Sequence, residues 1–170
     1  SKNSLTTIKN QFQTGTCWAF AALSCTESNL IQKGLENQNV QFSVPSLTLS
    51  TYANGGFDES IWDCGGTWMD SSLAMAAHRG LCYEEYEPFV SDGTETTIVS
   101  EEKKGVCEYQ LNYASTITGG RNAIKNKIKE LGGVMVSYYA DDLYMTFDNK
   151  SYYDPETTKY SGINHAVSLV

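Results

Sequence analysis

Two residues in this chain have the chemistry of a nucleophile and its proton partner. Cys17 follows Gln13-Thr14-Gly15-Thr16 and opens an apolar run, Trp18 to Leu23, that reads as the start of a buried helix. A cysteine placed there sees the positive end of a helix dipole and backbone N–H groups without intrahelical partners. Both favour the thiolate, which is the reactive form. Gly15 permits a close backbone approach just before the turn. A thiolate that attacks a carbonyl also needs a group to hold and return a proton, preferably a histidine. The sequence holds two. His78 lies beside Arg79 and Gly80, near the end of an expected helix, where the helix dipole accounts for it. His165 sits in Ile163-Asn164-His165-Ala166-Val167, where a core histidine and a proton partner are both open readings. For Cys17 the alternative is a structural cysteine.

The elements that must position these residues can be read from periodicity. Residues 17 to 33 form a helix with apolar residues on more than one side, and Gly34 is a natural stop. Ser43 can cap a short second helix with Pro45 in its first turn. Thr67 to Arg79 reads as a third helix and residues 122 to 131 as a fourth, with Ile124, Ile128 and Leu131 on one face. Val134 to Ala140 and Ile163 to Val170, rich in Val, Ile and Tyr, read as strands. The early part is helical and the late part strand and loop, so an α+β chain of two lobes follows, about 1–105 and about 106–170 of one domain. A cleft between lobes is a common place for a site. The acid-rich stretch 84 to 108 reads as a solvated connection between them.

Composition excludes several classes. Twenty acids against twelve bases leave a formal charge of −8, which argues against a nucleic-acid partner, since phosphate binding needs clustered Lys and Arg. The run from Trp18 to Leu23 is far too short to span a membrane. No signal-peptide pattern opens the chain. The five cysteines, at 17, 25, 64, 82 and 107, include no CxxC pair, so neither a zinc ribbon nor any other metal site is expected. Five is odd, so at least one thiol stays unbridged.

The residues around Cys17 carry a specific resemblance. Lys9-Asn10-Gln11-Phe12-Gln13-Thr14-Gly15-Thr16-Cys17-Trp18-Ala19-Phe20 resembles the nucleophile segment of papain-like cysteine peptidases, which typically reads KNQGxCGSCWAF. Glu27 falls where that family carries a glutamate in its central helix, and Phe42-Ser43 with Leu47 is similar to its "LSEQxL" helix start. Cys64-Gly65-Gly66 resembles its "CNGG" segment, Gly80-Leu81 and Tyr86-Glu87-Pro88-Phe89 its "GI…YPY" stretch, Gly133-Val134-Met135-Val136 its "GPVSV" strand, and Asn164-His165-Ala166-Val167 its "DHAV" strand. The 148 residues from Cys17 to His165 agree with the family's separation of roughly 130–150.

The resemblance implies a papain-like fold and cysteine endopeptidase activity. Cys17 would be the nucleophile, His165 the proton carrier, and Gln11 the oxyanion donor together with the Cys17 backbone N–H. One such donor is worth about 2.7–4 kcal/mol in comparable sites. Gly65 and Gly66 would pair with an extended substrate, and Trp68 or Met69, Val134 and Ala166, with Asn164 at the edge, would form the main specificity pocket. The partner implied is a polypeptide substrate, with a pro-segment or a second chain supplying missing strands, and no cofactor. The setting implied is secreted or cell-surface, or else lysosomal.

The chain also departs from that family. The third catalytic residue, an asparagine beyond the histidine, has no counterpart before Val170, and most of the first strand segment is missing before Ser4, so the fold is expected to be incomplete. A catalytically inactive, peptide-binding homologue is the competing expectation. Thr14 and Ser50 stand at that family's usual cysteine positions and Cys64 is one place out of register, so the standard pairs cannot both form; Cys82–Cys107 is the bridge expected and Cys25 a free core cysteine, with the pairing left open by the sequence.

Overall fold

A computed structural model of the chain describes residues 4–12, 14–48, 80–89, 107–140 and 162–170. The expected helix at 67–79 lies outside these residues, as do Cys64, Gly65, Gly66, Trp68, Met69 and His78.

Among the described residues, helix α1, Cys17–Gln32, is the centre of the core. Trp18, Ala19, Ala21, Ala22, Leu23 and Leu30 are buried around it, so it is covered on more than one side, as its sequence required. It ends in a Schellman motif. Gly34 takes a φ of 70°, its N–H donates to the Ile31 carbonyl at 3.0 Å, and the Leu35 N–H donates to the Leu30 carbonyl at 3.0 Å.

Two small sheets lie among the described residues. Strand β1, Leu81–Cys82, pairs antiparallel with β2, Cys107–Tyr109. Residues 44–48 are helical, and the Ser43 hydroxyl oxygen caps them by accepting the Ser46 N–H at 3.0 Å. Phe42, fully buried, stacks on Tyr83 with ring centroids 5.3 Å apart, and both Tyr83 and Tyr109 donate their hydroxyls to Glu36 Oε1 at 2.9 and 3.0 Å. Helix α2, Arg121–Leu131, is a surface helix that turns Ile124, Ile128 and Leu131 partly inward. It leads through Gly132 into β3, Val134–Tyr138, which pairs antiparallel with β4, His165–Leu169. The ladder runs from Val134 opposite Leu169 to Tyr138 opposite His165.

Three sequence expectations change. β3 stops at Tyr138 rather than Ala140, because the Ala140 backbone is taken by the Asn164 side chain at 2.6 and 2.8 Å. The start of the acid-rich connection is packed, not solvated: Glu84 accepts the Phe89 N–H at 2.6 Å, and Glu87 is buried. Burial raises the Glu84 carboxyl above its usual range. The expected Cys82–Cys107 bridge is not formed, although the two residues are Cα partners. The ladder is irregular between Leu81 and Cys82, and the Cys82 thiol lies 3.7 Å from the Tyr83 carbonyl oxygen.

Candidate active site

Cys17 is the first residue of α1, and its side chain is partly exposed. The N-cap residue, Thr16, makes no side-chain cap. Its hydroxyl is instead hydrogen-bonded to the Thr14 hydroxyl. No acidic residue occupies the first turn. The dipole of a sixteen-residue helix therefore meets no side-chain cap and no acid here, while the Ala19 and Phe20 N–H groups donate to the Thr16 carbonyl at 3.0 and 3.1 Å.

In the preceding loop Gln11 is bonded to Thr14 through both its backbone and its side chain. The Gln11 carbonyl accepts the Thr14 hydroxyl at 2.7 Å and the Thr14 N–H at 3.3 Å. The Gln11 side-chain Nε2 donates to the Thr14 carbonyl at 2.7 Å. That uses one of the two N–H bonds an amide nitrogen carries. Phe12, at a φ of 52°, turns the chain sharply after Gln11, and its N–H donates to Asn10 Oδ1 at 2.8 Å.

What holds this loop against the helix is Glu27, which is wholly buried. Its Oε1 accepts from Lys9 Nζ at 2.6 Å and from the Phe42 N–H at 2.9 Å, and its Oε2 accepts from the Thr6 hydroxyl at 2.8 Å. One carboxylate thus ties residues 6–9, the middle of α1 and the 41–43 segment together. Sequence reading placed Glu27 in the helix but not its partners.

His165 comes from the other sheet, as the first residue of β4. Helix and strand lie side by side, since Cys25 Sγ is 3.2 Å from Ser168 Oγ. Their directions agree. Beyond this contact, Asn29 Nδ2 donates to the Leu131 carbonyl at 2.8 Å, and a Cβ on Gly133 would lie 3.4 Å from Cys25 Cα and 3.5 Å from the Leu169 carbonyl oxygen. The C-terminal half of α1 therefore sits with the end of β4. Stepping back from Ser168 to His165 along the strand covers roughly 10 Å. Stepping back from Cys25 to Cys17 along the helix covers roughly 12 Å. Cys17 and His165 thus lie at the same end of the helix-on-sheet layer.

The other candidates divide. Ala166 is buried in the core against α1. Asn164 is exposed, with both ends of its amide bonded to the Ala140 backbone. Val134 is buried at the far end of the ladder, opposite Leu169, so it is not brought to the end that holds His165. The cross-strand partner of Ala166 is Ser137, which only the register reveals. Burial lowers the His165 imidazole below the usual histidine range, and its ring meets the Tyr138 ring edge to face, with centroids 5.7 Å apart. Cys25 is a different kind of thiol. Burial pushes it up to about 11, which disfavours its thiolate at neutral pH. Among the described residues no group of three or more His, Cys, Asp or Glu side chains could hold a metal ion, and no helix is long and apolar enough to cross a membrane.

Comparison with known proteins gives a consistent picture. The family described as "Papain family cysteine protease" matches residues 1–170. Cathepsin K of Mus musculus is 26% identical over 170 residues, covering 99% of this chain and 48% of that protein. A procathepsin L 3 from the larval midgut of Tenebrio molitor superposes with a TM-score of 0.68 at 21% identity, over 99% of this chain and 52% of that one. The protease and lectin-like domains of Cwp84, a surface-layer-associated protein of Clostridium difficile, superpose with a TM-score of 0.69 at 25% identity, over 98% of this chain and 36% of that one. The chain spans about half the length of cathepsin K.

Proposed function

The chain belongs to the papain family of cysteine proteases, and on that premise we propose that it is the catalytic part of an endopeptidase working through Cys17, His165 and Gln11. The Cys17 thiolate attacks a peptide carbonyl and forms a C–S bond. The oxyanion so created is held by the Cys17 backbone N–H and the Gln11 side-chain amide. The C–N bond then breaks as His165 gives its proton to the leaving amine. Water, deprotonated by His165, hydrolyses the thioester and returns the thiol. The observation that carries this proposal is the uncapped start of α1 at Cys17, with the Gln11 loop bonded beside it and His165 at the same end of the layer.

The substrate in this proposal is an extended polypeptide, held by Gly65 and Gly66 in the cleft between the helical part, about 1–105, and the β part, about 106–170. Likeness to a procathepsin supports synthesis with a pro-segment, and likeness to a surface-layer-associated protease supports a secreted or cell-surface setting, with a lysosomal one as the alternative. The test is hydrolysis of a peptidyl-coumarin library by the full-length protein. Cys17→Ala is expected to abolish turnover, and Gln11→Ala to lower kcat by about 10²–10³-fold. Undiminished turnover by Cys17→Ala would overturn the proposal. Peptide binding without any cleavage by the full-length wild type would identify the inactive, peptide-binding homologue instead.

A further inference from the structure

The backbone around His165 is clamped, while its side chain is held in a different way. The Asn164 N–H donates to the Tyr138 carbonyl at 3.2 Å, and the Asn164 amide bonds both backbone groups of Ala140 at 2.6 and 2.8 Å. The ladder then sets Tyr138 directly opposite His165. Position in space is thus fixed, but an imidazole that must serve both a thiol and a leaving amine also needs a fixed rotamer. Among the described residues no hydrogen bond or ion pair reaches the imidazole. What touches it is the Tyr138 ring, at 5.7 Å between centroids and 68° between planes. That is the edge-to-face arrangement in which aromatic pairs attract beyond their burial. Cross-strand partners also project to the same side of a ladder, so the contact follows from the register.

We propose that Tyr138 is a positioning residue for His165, holding the imidazole by its ring in the rotamer that serves Cys17. The inference rests on the proposed role of His165. It predicts that the ring matters and the hydroxyl does not. It also predicts that the effect falls on turnover and spares substrate binding, because Tyr138 acts through His165 and not on the peptide.

The experiment uses the full-length protein with Tyr138→Leu and Tyr138→Phe, both of which suit a strand. Tyr138→Leu is expected to lower kcat by about 3- to 10-fold, the range that one such ring contact supplies. KM stays unchanged, and Tyr138→Phe keeps nearly the wild-type rate. A second readout does not depend on turnover. In the Cys17→Ala background, imidazole NMR of His165, one of two histidines, is expected to show ring-current shifts with Tyr or Phe at 138 and rotamer averaging with Leu. A Leu variant with full kcat, a loss confined to KM, or equal losses in Phe and Leu would overturn the proposal. A wild type that never cleaves would count against the peptidase reading alone, and the NMR arm would still decide the ring contact, with unchanged imidazole signals in Leu refuting it.

Discussion

Removing the Glu27 carboxylate tests whether the site is held together as described. Glu27 is fully buried and accepts hydrogen bonds from Lys9 Nζ, the Phe42 N–H and the Thr6 hydroxyl at 2.6, 2.9 and 2.8 Å. Glu27→Ala leaves three donors without their acceptor. Breaking one side of a buried ion pair costs about 3–5 kcal/mol, and an unsatisfied buried donor about 1–3 kcal/mol. The two figures overlap, because both count the lost desolvation. The Lys9 side chain keeps 19% exposure and can recover water, which puts the expected loss near the lower end, about 3 kcal/mol. Glu27→Gln keeps the shape and one carbonyl acceptor, and its amide can donate to the Thr6 hydroxyl, so about 1–2 kcal/mol is expected for the lost charge. Urea unfolding of the full-length protein measures both. The Lys9→Met/Glu27→Ala cycle should show a coupling of about 1–3 kcal/mol. In addition, kcat should fall in Glu27→Ala under conditions where the protein remains folded, because residues 6–9 lead directly into Gln11. A Glu27→Ala protein within about 1 kcal/mol of wild type would show that the carboxylate gains no more than its burial costs, and would refute the reasoning.

Other expectations follow from single contacts. Gly132 has a φ of 90°, and a Cβ there would lie 2.5 Å from the Ser28 carbonyl oxygen, so Gly132→Ala should cost about 2–3 kcal/mol in urea unfolding and loosen the join between α1 and β3. A thermal melt indistinguishable from wild type would contradict this. Cys25, buried and pushed up to about 11, should stay unmodified when native protein is treated with iodoacetamide at neutral pH, and peptide mapping checks it. The raised Glu84 carboxyl makes stability fully present below its unfolded pKa and erodes it as pH rises through the folded value. Glu84→Gln should therefore gain stability relative to wild type on going from mildly acidic to neutral pH, read from melting temperatures across that range. The lowered His165 imidazole has the opposite sign: its contribution is present above the unfolded pKa and lost as pH falls through the folded one. His165→Ala should flatten that acid-side loss.

Local features were the legible ones. The apolar run after Cys17 gave a helix within one residue of its observed end, and the Gly34 stop is the C′ residue of a Schellman motif. The Ser43 cap, the face of α2 and the β3 and β4 strands were also readable, because each depends on neighbours a few positions apart. Long-range pairings were not. Glu27 finds its partners 15, 18 and 21 residues away, and no periodicity encodes them. The Tyr138 ring meets His165 only through the ladder register. The register likewise sets Val134 opposite Leu169, a pairing that the strand pattern alone does not give. The Cys82–Cys107 expectation also failed, although the ladder sets the two residues opposite each other. The acidic run beginning at Glu84 looked solvated by composition, yet Glu84 is used to anchor the Phe89 backbone.

The most direct measurement is the intact mass of the full-length protein after treatment with a broad epoxide inhibitor of cysteine peptidases, with Cys17→Ala and His165→Ala alongside. A single adduct is expected on wild type, mapped to Cys17, absent in Cys17→Ala and much slower to form in His165→Ala. An adduct that persists in Cys17→Ala, or a folded wild-type protein that takes up none, would contradict an activated thiolate at the head of α1.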